Sequence, residues 1–142
     1  MSIWKTQTRC ADKPWGGVVN IKTPFGMNGK IIYMKKGHRT SLKYYANINQ
    51  ALYCLSGKIT ANAPRENEFG DEISEAGSKF FVEPGELLLI QGNNPYRLTA
   101  VEDSVLVEVL LGSNNDSTKI MIEDDYGRIV KEDKLKPPDD WL

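Results

Sequence analysis

Apolar and polar positions alternate with period two over short runs of this chain. That is the spacing of half-buried strands, not of helices. Val18–Ile21, Lys30–Lys35, Ser41–Ala46, Gln50–Leu55, Lys58–Asn62, Phe80–Val82, Glu86–Gln91, Tyr96–Ala100 and Ser104–Leu111 are rich in β-branched, aromatic and aliphatic residues. Gly29, Gly37, Asn47–Asn49, Ser56–Gly57, Pro84–Gly85 and Gly92–Pro95 punctuate them as turns. Asp116–Ile122 reads as one further strand. Pro64–Ser78 is polar, acidic and glycine-bearing, which predicts a long surface loop with Glu66–Glu75 as a solvated flap. No helical periodicity is strong before residue 128. Many short strands at regular spacing predict an all-β sandwich or barrel. No repeat or linker divides the chain. It is read as a single domain, 1–142, with a barrel core of about 16–128 and a charged tail, 129–142, anchored by Trp141.

Composition narrows the function classes. A formal net charge of −1 gives no electrostatic case for nucleic acid or an anionic membrane. No apolar run approaches the ~20 residues that span a bilayer. Residues 1–15 lack a signal-peptide pattern, and Cys10 and Cys54 form no CxxC pair. The expectation is a cytoplasmic chain with reduced thiols, Cys54 being a small buried hydrophobe.

An ordered series of short motifs runs along the chain. Lys13-Pro14-Trp15-Gly16 comes first, then the Lys36-Gly37 turn, then Ser41-Leu42-Lys43 followed by Tyr45, Asn47 and Gln50. Ser56-Gly57, the Gln91-to-Leu98 stretch holding Asn93, Tyr96 and Arg97, Val107-Glu108-Val109, and Glu123-Asp124-Asp125-Tyr126-Gly127-Arg128 complete it. The set resembles the C-terminal cupin domain of type II mannose-6-phosphate isomerases, which are often fused to mannose-1-phosphate guanylyltransferases. The resemblance implies a cupin double-stranded β-helix, a jelly-roll barrel, and a sugar-phosphate ligand.

It also implies a metal site, at positions that here read Tyr45, Asn47, Gln50 and Tyr96. Zn²⁺, Mn²⁺ and Fe²⁺ favour imidazole and carboxylate. Amide oxygens are weak neutral ligands, and a tyrosine binds well only when ionised. The expectation is therefore no metal and no cofactor. The family's arginine after its second histidine is replaced by Ile48.

Strand alternation then proposes the pocket. Ser41, Lys43, Tyr45 and Asn47 share one face, as do Gln50, Leu52 and Cys54, and as do Tyr96 and Leu98. Hydroxyls, amides and a lysine above an apolar floor suit a polyhydroxylated ligand. Lys43, Tyr45, Asn47, Gln50, Tyr96 and Arg97 are the candidate ligand-binding residues, with Lys43 and Arg97 holding a phosphate. The opposing reading has the amides and tyrosines pairing with one another, and Arg97 forming an ion pair with Glu108. His38 is read as a rim residue. Pro14 and Trp15 are read as locking the N-terminal strap onto the barrel.

Three functions follow. The first is a metal-free cupin binding a sugar phosphate or nucleotide sugar. The second is a sugar-phosphate isomerase or epimerase using Lys43, Tyr45 or Tyr96. The third is a structural or regulatory cupin with a filled barrel. Outward apolar positions such as Tyr53 and Leu55 predict a homodimer.

Overall fold

The computed structural model describes residues 2–66, 73–111 and 119–125. Among them are eleven strands and no helix: β1 (Arg9–Lys13), β2 (Gly16–Ile21), β3 (Met27–Met34), β4 (Leu42–Tyr45), β5 (Asn49–Ser56), β6 (Ile59–Glu66), β7 (Ile73–Val82), β8 (Leu87–Ile90), β9 (Arg97–Ala100), β10 (Ser104–Leu111) and β11 (Lys119–Glu123). With no helix at all, none there is long and apolar enough to cross a membrane.

One sheet has the order β1-β2-β3-β10-β5-β8. Facing it, the pair β11-β4 and the trio β7-β6-β9 are joined by bridges between Arg39 and Thr99 and between Lys43 and Tyr96. All the strand pairings are antiparallel. Two such layers, each with an apolar inner face, make the jelly-roll barrel anticipated from the sequence.

The inner face of the larger sheet is built in cross-strand rows. Ala11, Val18, Ile32, Leu106 and Cys54 lie abreast and form an apolar floor. Ile59, Ala61, Leu98 and Ala100 close on it from the opposite sheet. Each fully buried aliphatic contributes roughly 1.5–3 kcal/mol. One row along, the inward positions turn polar: Asn20, Lys30 and Glu108 stand abreast. The barrel interior is thus apolar at one level and charged at the next.

The Lys13-Pro14-Trp15-Gly16 motif closes one side. Trp15 is buried in the main core, and Lys35 N–H donates to its carbonyl at 2.8 Å. Gly16 has φ 151, and a Cβ there would lie 1.8 Å from Tyr33 O, so only glycine lets β2 approach β3.

Two expectations change. Arg9–Lys13, where the sequence pattern predicts no strand, forms β1, with Cys10 and Ala11 fully buried. The expected Pro64–Ser78 loop is largely strand, because β6 continues to Glu66 and β7 begins at Ile73, with Arg65 opposite Ser74. Backbone pairing overrides the polar composition there, and only 67–72 of the expected flap lie outside the described residues. The last strand, expected over Asp116–Ile122, is described from Lys119 to Glu123, and Asp116–Thr118 lie outside the described residues. Tyr126-Gly127-Arg128 and the tail with Trp141 lie outside the described residues.

Candidate functional site

Four lysines, Lys13, Lys30, Lys43 and Lys119, line one cavity of about 40 Å³ inside the barrel. They come from β1, β3, β4 and β11. Trp15, Tyr45, Tyr96, Thr40 and a single carboxylate, Glu108, share the lining. Among the described lining residues, four lysines against one glutamate leave a formal excess of three positive charges, in a chain whose overall charge is −1.

Geometry fixes several of these groups. Lys43 Nζ stands 4.9 Å from the centroid of the Tyr96 ring. Lys30 Nζ donates to Tyr45 Oη at 3.4 Å. Gln50 Nε2 donates to Tyr96 Oη at 2.8 Å and to Glu108 Oε1 at 2.6 Å. That buried trio spans the barrel between β5, β10 and the residue just before β9. Burial is the largest cause, with Glu108 and then Tyr45 adding to it, that pushes the Tyr96 phenol well above its ordinary 10.0; the Gln50 hydrogen bond opposes them. Tyr96 is therefore a neutral phenol and a hydrogen-bond donor at physiological pH. Trp15 Nε1 and Ser41 Oγ are buried without a hydrogen-bond partner.

A second cavity, of about 260 Å³, lies on the other side of Tyr96. Ala61, Ala63, Phe80, Leu88, Leu89, Ile90 and Pro95 make it apolar, and Gln91 and Asn94 add two amides. Tyr96 lines both cavities.

The structure brings together Lys43, Tyr45, Gln50 and Tyr96, with Leu52 and Leu98 beside them in the interior. Asn47 is different: it is exposed at the β4–β5 turn with φ 60, a conformation asparagine tolerates. Its amide faces Asn93, with Asn93 Nδ2 donating to Asn47 Oδ1 at 3.3 Å. Ile48 is buried in its place, packed with Tyr45 and Leu110. The expected inward phase ends where that turn begins.

Arg97 also departs from the expected set. Tyr96 and Leu98 face the interior, so Arg97 points to the other side of its strand. Its Nε donates to Thr40 O at 3.0 Å, and Nη1 and Nη2 lie 3.6 and 3.9 Å from Glu123 and Asp125. Arg39 grips the same Asp125 through two hydrogen bonds, of 2.5 and 2.9 Å. This is a clasp between the β9 edge and β11. Glu108, the partner anticipated for Arg97, is engaged by Gln50 inside the barrel. His38 is exposed at its turn, with Nδ1 3.1 Å from Lys36 O.

Sequence reasoning missed Lys13, Lys30, Lys119, Trp15 and Glu108. A signal existed for two of them. Lys30 and Glu108 occupy inward phases of strands that otherwise alternate cleanly, and they are cross-strand neighbours.

A metal does not fit this donor set. Among the described residues no three His, Cys, Asp or Glu side chains stand close enough to hold an ion. At the positions that the resemblance assigns to ligands, Gln50 and Tyr96 are hydrogen-bonded to each other, Tyr45 faces a lysine, and Asn47 lies outside. A neighbouring ammonium disfavours a cation further.

No protein-family model matches the chain, and no curated protein matches it in sequence. Solved structures do. Streptomyces Pac13, described as a nucleoside dehydratase and solved with uridine, superposes with TM-score 0.69 at 9% identity, over 87% of this chain and 93% of Pac13. CapF, a capsular polysaccharide assembling protein of Staphylococcus aureus, gives 0.67 at 16% identity, over 84% of this chain. The chain spans 33% of that CapF polypeptide. KdgF from Halomonas gives 0.58 at 13% identity, over 74% of this chain and 86% of KdgF. These are cupin-type β-barrels, and this chain has their fold.

Proposed function

We propose that this chain is a small-molecule-binding cupin whose ligand carries a compact anionic group, as in a sugar phosphate or nucleotide sugar. The observation that carries this reading is the convergence of Lys13, Lys30, Lys43 and Lys119 on one cavity, with Glu108 the one carboxylate among the described lining residues. Like charges held together in a partly buried site repel, and a bound anion offsets that repulsion. A water needs roughly 10–15 Å³ of such space, so the cavity of about 40 Å³ admits a tetrahedral oxyanion and not a whole sugar. Trp15 Nε1–H adds a buried donor without a protein partner. The sugar- and nucleoside-related proteins among the fold neighbours support a polar, sugar-like ligand. The test is calorimetric titration with hexose phosphates and inorganic phosphate. Heat of binding that disappears in Lys43→Met upholds the reading. Silence from every phosphorylated probe at millimolar concentration rejects it.

A sugar-phosphate isomerase, the activity implied by the resemblance to mannose-6-phosphate isomerases, is the second reading. Glu108 favours it, being a buried carboxylate within the cavity. Aldose–ketose isomerisation needs a base and a group that stabilises the enediolate. On this reading Glu108 supplies the first and Lys43 with the neutral Tyr96 hydroxyl the second, which requires the cavity of about 40 Å³ to open far enough to admit C1 and C2 in place of an oxyanion. Deuterium exchange at C2 of a bound hexose phosphate, lost in Glu108→Gln, would decide for the enzyme. The filled-barrel reading draws on the Gln50–Tyr96–Glu108 trio, which occupies the centre of the interior.

We also propose that the macromolecular partner is a second copy of the chain. Tyr53, Leu55, Leu87, Leu89, Val109, Leu111 and Met27 are exposed on the outer face of β3, β10, β5 and β8. That is larger than the scattered apolar residues of a monomer's surface. Light scattering should give twice 16.0 kDa, falling to one chain in Leu89→Lys/Val109→Lys. A wild-type monomer at all concentrations rejects the dimer. Cys10 and Cys54 are buried thiols, in keeping with a cytoplasmic setting.

A further inference from the structure

The lysine cavity accounts for the anionic end of a ligand and for nothing else, because it is too small for more. The cavity across Tyr96 has the opposite character. Among the described residues no charged side chain lines it. Its volume of about 260 Å³ falls just below the range of roughly 300–1,000 Å³ that holds a complete drug-sized ligand. It suits one ring-sized fragment.

Its walls follow from the strands. Ala61 and Phe80 are cross-strand neighbours on β6 and β7, so they share a face. Ala61 is buried, and its methyl leaves room above it. Phe80 lies at the free edge, since β7 ends its sheet while β8 ends the other. That edge position leaves Phe80 48% exposed, although it belongs to the inner face. A half-exposed aromatic ring at a cavity entrance is a stacking surface for a flat group. Leu88 and Ile90 stand opposite on β8. At the rim, the Asn94 amide nitrogen is taken up by Gln91 O and Gly92 O, which turns its carbonyl oxygen outward as an acceptor. Gln91 offers both a donor and an acceptor. The Tyr96 hydroxyl accepts from Gln50, and its own proton has no acceptor among the described residues.

A slot with an aromatic wall, aliphatic walls, no charge, and amides along one edge matches a planar heterocycle with hydrogen-bonding edges. A hexose has no planar apolar face of that extent. We infer that this cavity is a nucleobase site and that the ligand is a nucleotide or nucleotide sugar, its phosphate among the lysines. Tyr96 lies between the two ends. This rests on the anion reading of the lysine cavity, and it narrows the ligand from any sugar phosphate to one that carries a base.

The experiment is a set of calorimetric titrations with uridine and adenosine 5′-monophosphates, glucose 1-phosphate, inorganic phosphate and free uridine. At least one mononucleotide should bind ten times or more tighter than glucose 1-phosphate or phosphate. Phe80→Ala removes an exposed ring, and the fold should tolerate it. It should weaken the mononucleotide by roughly five- to a hundredfold, the range expected for loss of one stacked base, and leave inorganic phosphate within twofold. Ala61→Leu, which fills the slot, should do the same, with its melting curve as the check on folding. Mononucleotides that bind no tighter than phosphate, or a Phe80→Ala variant that weakens both alike, overturn the base site. Free uridine separates the two readings: uridine binding that is lost in Phe80→Ala, with phosphate silent, upholds the base site and rejects the lysine site alone.

Discussion

Tyr96 divides two compartments that could hardly differ more. On one side, four lysines and a glutamate crowd a cavity of about 40 Å³. On the other, alanine, leucine, isoleucine and phenylalanine line one of about 260 Å³. Both open off the same barrel, and both use inward positions of antiparallel strands. The difference comes from which strands contribute. β3, β10 and β4 place Lys30, Glu108 and Lys43 at inward phases, whereas β6 and β8 place Ala61, Leu88 and Ile90 there. A barrel that held metal would concentrate its chemistry at one centre. Here that centre is a hydrogen-bonded trio, and the capacity for ligands lies to either side of it.

The charged compartment should be the more fragile. Glu108→Leu strands the Gln50 amide and removes a buried negative charge from the lysine-lined cavity. Removing one member of a buried charged network typically costs about 3–5 kcal/mol, so urea unfolding should show a loss of that order. Glu108→Gln keeps a hydrogen-bond acceptor and should cost less, while phosphate stabilises that variant more than wild type. Equal stability of Glu108→Leu and wild type would mean that the carboxylate balances nothing.

The shared wall is next. Tyr96→Phe keeps the ring for both cavities and removes the hydroxyl that Gln50 meets. The expected cost is about 1–2 kcal/mol. It should also change the alkaline limb. The folded Tyr96 phenol is raised above 10.0, so above that pH the unfolded chain loses a proton that the folded chain keeps. Stability is then full below pH 10.0 and falls as pH rises toward the folded value. The Tyr33 phenol, raised by burial and by Cys10, adds to the same fall. In Tyr96→Phe the fall should be shallower. An unchanged alkaline slope would contradict the burial of this phenol.

The smallest effect belongs to the outer clasp. Arg39 hydrogen bonds are the largest cause holding the Asp125 carboxyl below its ordinary 3.8, with the Arg39 and Arg97 charges assisting. Its contribution is present above pH 3.8 and is lost as pH falls through the lowered folded value. Asp125→Asn should slightly flatten the acid limb and leave ligand affinity alone. Thermal melts at pH 3 and pH 7 measure it; a difference confined to pH 3 in the opposite direction would exclude the clasp.

Most of the barrel was legible because alternation is a strong signal where one face is buried and the other is not. Ser104–Leu111 is the clearest case, its bounds matching β10 at both ends. The errors share a cause. Asn47 stands where a motif register and a turn signal conflict, and the turn prevailed because asparagine adopts positive φ at little cost. β1 and the extended β6 and β7 carry polar residues on strands whose formation is decided by partners distant in sequence. The lysine cluster was illegible for the same reason. Lys13, Lys30, Lys43 and Lys119 are scattered over four strands, and only sheet order places them together. Arg97 was misassigned to the pocket although it neighbours Tyr96, because adjacent residues of a strand face opposite ways.

The most direct measurement of the central claim is phosphate affinity across three single variants at low ionic strength. Lys30→Met and Lys43→Met each remove a charge-assisted contact, worth about 1.5–3 kcal/mol, and should weaken binding roughly ten- to a hundredfold. Arg97→Met removes an equal charge from the clasp, and it should lower stability while leaving affinity within twofold. If Arg97→Met weakens phosphate as much as the lysine variants do, or if Lys30→Met and Lys43→Met bind it as wild type does, the anion site does not lie among these lysines.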